Sequence, residues 1–206
     1  MSLRTFVKIG SVNNLSDARY CAGMAVDLIG FNIDPDIDNY LTPDSFREIT
    51  EWISGIEFVG EFEMDNTRKI LDVVKNYQID YIQVCHLQLL DELSLCGLPV
   101  ILKIDLGKYT DQTQFKEDLN FARSMVSFFV IEGHSDTIKT EALYLLSTDF
   151  PFLIGTGISS RNVNELIDNF PINGISLKGG DEIKPGYKDY DELSDILEAI
   201  EVEDFS

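Results

Sequence analysis

The chain has 206 residues, 44% hydrophobic and 25% charged, an ordinary globular composition long enough for one well-cored domain over 1–206. Its 36 acidic residues against 16 Lys+Arg leave a net charge of -20, which makes nucleic acid and anionic membranes poor partners. No apolar run approaches the ~20 residues of a membrane helix, no charged-then-apolar leader is seen, and Cys21, Cys85 and Cys96 show no metal spacing and leave one thiol over in any disulfide scheme. A cytoplasmic protein with no metal site is expected, as a monomer or homodimer.

The first apolar run is Thr5 to Ile9, ending at Gly10-Ser11. Asn14 can cap a helix in which Ala18, Cys21, Ala22 and Ala25 fall at helical spacing, so Cys21 reads as a core residue. Asp27 to Ile33 is a second strand, and Thr42-Pro43 opens a helix with the stripe Phe46, Ile49, Ile53. Ile56 to Phe62 is a third strand, followed by Ile70, Val73, Val74 and Tyr77 at the spacing of an amphipathic helix. Asp80 to Val84 is the fourth, with a leucine-rich helix to about Leu95; Pro99 to Ile104 is the fifth, with Phe115, Leu119 and Ala122 after it. Val126 to Ile131 precedes a helix through Ile138, Ala142, Leu145 and Leu146. Pro151 to Ile154 precedes one through Val163, Leu166, Ile167 and Phe170. Ile172 to Leu177 is the eighth strand, and the last helix opens at Asp189, with Glu192 as in a capping box and Leu193, Ile196, Leu197 and Ile200 facing inward.

Eight strand–helix pairs without a composition break or linker predict an α/β fold, a single-domain (β/α)8 TIM barrel. Such barrels carry function at the C-terminal strand ends, and the loops after strands seven and eight favour phosphate. Both loops are glycine turns here: Ile154-Gly155-Thr156-Gly157-Ile158 and the stretch from Ser176 to Asp189. Glycine lets backbone N–H groups approach an anion before a helix N-terminus. Gly155, Thr156, Gly157, Gly179 and Gly180 with Lys178 are thus the candidate phosphate grip; ordinary tight turns are the plainer alternative. Gly155-x-Gly157 is no dinucleotide fingerprint, because position 160 is Ser and the motif follows the seventh strand.

Period-two alternation selects the remaining candidates. Lys8 and Gly10 share a face, as do Tyr81, Gln83 and Cys85, then Lys103 and Asp105, then Val130 and Glu132. A barrel interior is normally aliphatic, so Lys8, Gln83, Lys103 and Glu132 need partners. They form either a structural ion-pair cluster or a titratable centre in which Glu132 moves a proton beside a lysine. Neighbours on a strand point to opposite sides, so Cys85-His86 is not a dyad, and His134 reads as a solvent-exposed loop residue. There is no Ser-His-Asp elbow and no metal cluster.

Phe6-Val7-Lys8-Ile9-Gly10-Ser11 through Asp17-Ala18 and Asp27-Leu28-Ile29-Gly30-Phe31 resembles the opening of the phosphoribosylanthranilate isomerase family: Lys-Ile-Cys-Gly-Ile-Thr, Asp-Ala, Ala-Asp-x-x-Gly-Phe. Phe58-Val59-Gly60-Glu61-Phe62 is similar to its Val-Gly-Val-Phe strand and Ile82-Gln83 to its Val-Gln-Leu-His strand. Gly155-Thr156-Gly157-Ile158 with Arg161-Asn162-Val163 resembles Ala-Gly-Gly-Leu and Glu-Asn-Val, and the closing stretch resembles Ser-Ser-Gly-Val-Glu and Pro-Gly-x-Lys-Asp. The resemblance implies a cofactor-free barrel that converts an aminoaldose phosphate to an aminoketose phosphate, an Amadori rearrangement, in tryptophan biosynthesis. In that family a cysteine after strand one is the base, an aspartate after strand six the acid, and an arginine after strand two holds the anthranilate carboxylate.

By the same resemblance the base position is Gly10, the acid position Glu132, and the arginine position Asn39, which cannot make a bidentate clamp. The strand-four histidine matches Cys85 or His86, and strand eight leaves open which of Gly179 and Gly180 is equivalent. The implied catalytic set is Glu132 with Cys85 or Lys8 replacing the lost base, and Gly10, Asn39, Gln83 and Lys103 form the pocket. The expected function is an isomerase of a phosphorylated sugar-type metabolite with altered substrate. A non-catalytic phosphometabolite binder, regulator or partner subunit, and an inert barrel kept for an interaction surface, are the competitors. Whether the space at Gly10 is empty or filled by a neighbour stays open.

Overall fold

The computed structural model describes residues 2–135, 138, 142–143, 146–179, 182–184, 187–188 and 191–202. Eight parallel strands close into one barrel in chain order: β1 (Phe6–Gly10), β2 (Leu28–Asn32), β3 (Glu57–Glu61), β4 (Tyr81–Val84), β5 (Val100–Asp105), β6 (Phe128–Glu132), β7 (Phe152–Ile154) and β8 (Gly174–Lys178). The seam pairs β1 with β8 over five residues, from Phe6↔Gly174 to Gly10↔Lys178. The single-domain barrel expected from eight apolar runs is therefore the fold.

The described helices are α1 (Leu15–Gly23), α2 (Pro43–Thr50), α3 (Thr67–Val74), α4 (Leu90–Leu93), α5 (Gln112–Ala122), α6 (Val163–Asn169) and α7 (Asp191–Ala199). Four of their starts carry side-chain caps: Asn14 accepts from the Asp17 N–H at 2.9 Å, Thr42 from the Ser45 N–H at 3.3 Å with Pro43 in the first turn, Asn66 from the Lys69 N–H at 3.1 Å and Asp111 from the Thr113 N–H at 2.8 Å. Three expectations need adjustment. Ala25 lies beyond α1 with φ 56°, so it continues no helical stripe. The leucine-rich segment after β4 is a 3-10 turn, Leu87–Leu89, and one turn of α-helix, which leaves Leu95 exposed. Ile53 and Tyr77 lie past the ends of α2 and α3, although Tyr77 is still buried. Cys21 is buried in α1 as expected, and Ile138 and Leu143 are buried behind β6, while Leu145 and Asp189 lie outside the described residues.

The core has two parts. Between strands and helices, side chains such as Ile9, Ile29, Phe31, Val84, Phe115 and Leu197 are fully enclosed; each contributes about 1.5–3 kcal/mol by leaving water. Inside the barrel, Leu28, Val59, Ile101, Val130 and Leu153 pack together, with Phe6, Tyr81 and Phe128 against them. Two residues further along each strand, period-two alternation brings Lys8, Gly30, Glu61, Gln83, Lys103, Glu132 and Gly155 to the same inner surface. The barrel is thus filled with hydrocarbon below and lined with ionisable groups at its C-terminal mouth. Ser2–Leu3 pairs antiparallel with Glu201–Val202, which ties the two ends of the described chain together. Among the described residues no helix is long and apolar enough to cross a membrane.

Candidate active site

The mouth divides into a closed half and an open half. In the closed half, Lys8 Nζ on β1 lies 2.5 Å from Glu61 Oε1 on β3, and both side chains are almost wholly enclosed (2% and 8% exposed). Gln83 Nε2 on β4 also donates to Oε1, at 3.4 Å, while Gln83 Oε1 has no hydrogen-bond partner among the described residues. The other carboxylate oxygen, Oε2, accepts from the Ser11 N–H at 2.9 Å and approaches the Ser11 hydroxyl at 3.4 Å. Ser11 holds a left-handed φ of 57°, at a cost of about 1 kcal/mol for a residue with a Cβ, and that conformation aims its amide inward.

Burial alone would push the Glu61 carboxyl up. Lys8 beside it, the Ser11 amide and Lys103 outweigh that penalty and hold it below the ordinary glutamate range. Glu61 reaches Lys8 by crossing β2, which is possible only because β2 presents glycine there. A Cβ at Gly30 would lie 2.2 Å from Glu61 Oε1, and one at Gly10 would lie 2.8 Å from Oε1 and 3.1 Å from Lys8 Nζ. The space beside Gly10 is therefore filled by the carboxylate of Glu61.

The open half is a cleft of about 850 Å³ over the ends of β4, β5, β6 and β8, walled by Cys85, His86, Lys103, Lys108, Glu132 and Lys178 among others. Glu132 Oε2 lies 3.3 Å from Lys178 Nζ, and Lys103 Nζ lies 3.6 Å from Glu63 Oε1. Burial pulls Lys103 down, but the carboxylates of Glu132, Glu61 and Glu63 together hold its ammonium above the ordinary lysine range. Cys85 Sγ faces the Phe62 carbonyl at 3.8 Å, and burial pushes its thiol up, so little thiolate is present at neutral pH. His86 Nε2 is fixed 3.0 Å from the Glu63 carbonyl, and His134 is exposed as expected.

Geometry thus separates the residues singled out in the sequence. Glu132, Lys103, Lys178 and Cys85 wall the cleft. Lys8, Gln83 and Gly10 surround Glu61. Lys8, expected as one candidate to replace a base, is committed to Glu61 instead. Asn39 is exposed on the loop after β2, with φ 62°, and does not wall the cleft. In the glycine turns, the Gly155 N–H donates to the Ile131 carbonyl at 2.7 Å and the Gly179 N–H to the Gly10 carbonyl at 2.9 Å, so both amides hold the barrel. Asn162 braces the first turn, donating to the Gly157 carbonyl at 2.7 Å and accepting from the Ser159 N–H at 2.8 Å. After β8, Glu182–Lys184 and Tyr187–Lys188 form an antiparallel pair, and Gly180 lies outside the described residues.

Sequence reasoning missed Glu61. Its signal was available: an acid two residues after inward-facing Val59, at the C-terminal end of the strand, while Lys8 lacked a partner. No group of three or more His, Cys, Asp or Glu residues could hold a metal among the described residues.

A closed parallel barrel with an ionised C-terminal mouth is the architecture on which barrel binding and catalytic sites are built. Over residues 8–199 the sequence matches the profile of one such group, described as N-(5'phosphoribosyl)anthranilate (PRA) isomerase, and the chain belongs to that family. It is 24% identical over 201 residues to the N-(5'-phosphoribosyl)anthranilate isomerase of Maridesulfovibrio salexigens, covering 94% of this chain and 97% of that one. The crystal structure of phosphoribosyl anthranilate isomerase from Thermotoga maritima superposes with a TM-score of 0.77 at 22% identity, over 95% of this chain and 98% of the other. A second structure of such an isomerase, in complex with reduced 1-(o-carboxyphenylamino)-1-deoxyribulose 5-phosphate, gives 0.75 at 23%, with the same coverage. At these identities the structural likeness speaks for the fold alone.

Proposed function

We propose that the chain catalyses its family's type of reaction, the cofactor-free isomerisation of a phosphorylated ribosylamine to the corresponding aminoketose phosphate in tryptophan biosynthesis. One observation carries the reading: in a chain matched to the family almost end to end, Glu132 stands at the cleft wall between two lysines, Lys178 at 3.3 Å and Lys103 across the mouth. Opening the ribose ring needs a proton on the ring oxygen as the C–O bond breaks, and Glu132 is the acid positioned to give it. Lys103, Lys108 and Lys178 supply cations for an anionic ligand in a cleft that also carries Glu63, Asp105, Asp111, Asp118 and Glu132, in a protein whose net charge is -20. The phosphate is assigned to the turns after β7 and β8, where the Thr156 and Gly157 amides have no acceptor among the described residues.

Asn39, which by the family resemblance stands at the position of the carboxylate-holding arginine, supports a change of substrate within that reaction. Asn39 offers no guanidinium fork for an anthranilate carboxylate, so an amine part without that carboxylate is accepted at least as well. The test is an assay of the purified chain with phosphoribosylanthranilate, following loss of its fluorescence, beside the Glu132→Gln variant. Turnover that falls ~10²–10⁴-fold in the variant is the expected result. Turnover equal in both would overturn the role of Glu132. Binding with no turnover would turn the reading toward a phosphometabolite-binding paralogue.

A further inference from the structure

We propose that Glu61 is the catalytic base of this barrel, taking over from β3 the proton abstraction for which β1, at Gly10, carries no side chain. The inference rests on the isomerase reading above and adds a residue to it. Its ground is the geometry of the closed half. The carboxylate occupies the volume that any side chain at Gly10 would need, 2.8 Å from the Cβ position there. It reaches that volume from two strands away because Gly30 leaves the path open. Its two oxygens are held differently. Oε1 is anchored by Lys8 at 2.5 Å and Gln83 at 3.4 Å, while Oε2 lies beside Ser11, the first residue past β1, where the barrel opens.

A carboxylate serving only to neutralise Lys8 would need one oxygen. Here the second accepts the backbone N–H of Ser11, a non-glycine residue of left-handed φ just past β1, and strain of that kind clusters at functional sites. Ser11 and Lys8 are positioning residues in this arrangement. Cys85 is a poorer base, because burial keeps its thiol protonated.

The step balances without a co-reactant. Once the ring is open, the substrate is an iminium with C1 doubly bonded to nitrogen. Glu61 Oε2 takes the proton from C2; the C2–H electron pair forms the C1=C2 bond, and the C1=N π pair moves onto nitrogen. The resulting enaminol loses its O2 proton and gains one at C1, giving the aminoketose. Glu61 returns to its carboxylate by releasing the proton it took, so the net change is isomerisation.

Removing Glu61 alone would leave Lys8 buried and unpaired, so variants that keep the fold are needed. The K8M/E61Q pair removes both charges, and Glu61→Asp keeps the charge but draws it back by one methylene. With phosphoribosylanthranilate as probe, K8M/E61Q is expected to lose ~10²–10⁴-fold in kcat with KM within a few-fold, and Glu61→Asp to fall in between. In K8M/E61A, which leaves a cavity where the carboxylate was, added formate is expected to raise the residual rate, and chloride at equal ionic strength is not. A purely structural Glu61 would lower thermal stability but give neither the kcat-selective loss nor the formate response. Active wild type with kcat unchanged in K8M/E61Q overturns the base assignment and leaves the isomerase reading standing. Wild type without turnover, the acid Glu132 notwithstanding, overturns both.

Discussion

The two halves of the mouth use the same chemistry, lysine against glutamate, under opposite conditions. Lys8 and Glu61 meet at 2.5 Å with both side chains almost fully enclosed, whereas Lys178 and Glu132 meet at 3.3 Å with the lysine 69% exposed. A pair sealed from water is held by every neighbour, and neither member can leave without stranding the other's charge. A pair at the rim of a cleft gains little from its partner and can exchange it for a ligand at small cost. The mouth therefore holds one fixed carboxylate and one rearrangeable one, the pair that the proposed proton transfers at two atoms of one substrate would use as oriented base and moving acid.

The contrast can be broken first at Lys8. Lys8→Met leaves Glu61 buried without its ion-pair partner and is expected to cost about 3–5 kcal/mol in denaturant unfolding. In K8M/E61Q most of that loss is expected to return, because no charge remains to be buried; purely additive losses would mean that the two are not coupled.

Gly30 is the next lever. A methyl at Gly30→Ala would stand 2.2 Å from Glu61 Oε1, so the carboxylate must swing out of the β1–β3 space. A loss of about 1–3 kcal/mol is expected, together with slower turnover if Glu61 is the base. An unchanged stability would mean that Glu61 has a second resting place.

Acid separates the halves more gently. Glu61 is held below the ordinary glutamate range by Lys8, by the Ser11 amide and by Lys103. Below about pH 4.3 the unfolded chain therefore takes up this proton before the folded one does. The stability contributed by Glu61 is complete above the unfolded value and falls as pH drops toward the folded one. Urea midpoints measured down through that window should decline more steeply for the wild type than for K8M/E61Q.

The smallest effect is expected at the rim. Lys178→Met should change stability by no more than about 1 kcal/mol, while raising KM for a phosphorylated substrate, and more so at low salt. A large loss of stability there would contradict the open character of that half.

Much of this molecule was legible in order along the chain. Eight apolar runs, each followed by a helical stripe and some of these opened by a capping residue, define a barrel because period and capping are local properties, set by neighbours within a few residues. Alternation also showed that Lys8, Gln83, Lys103 and Glu132 would face one another at the mouth. Which charges would be sealed together was not local. Lys8 and Glu61 are 53 residues apart, on strands that do not touch, and they meet across a third strand through the missing side chain of Gly30. Similarly, Gly155 and Gly179 read as anion-binding turns from composition, yet closure of the barrel commits their amides to Ile131 and Gly10. Local pattern determined the strands and the face each polar group turns inward. Closure of the sheet decided the partners, because only then does distance through space replace distance along the chain, and only then does the empty place at Gly10 receive the carboxylate of Glu61.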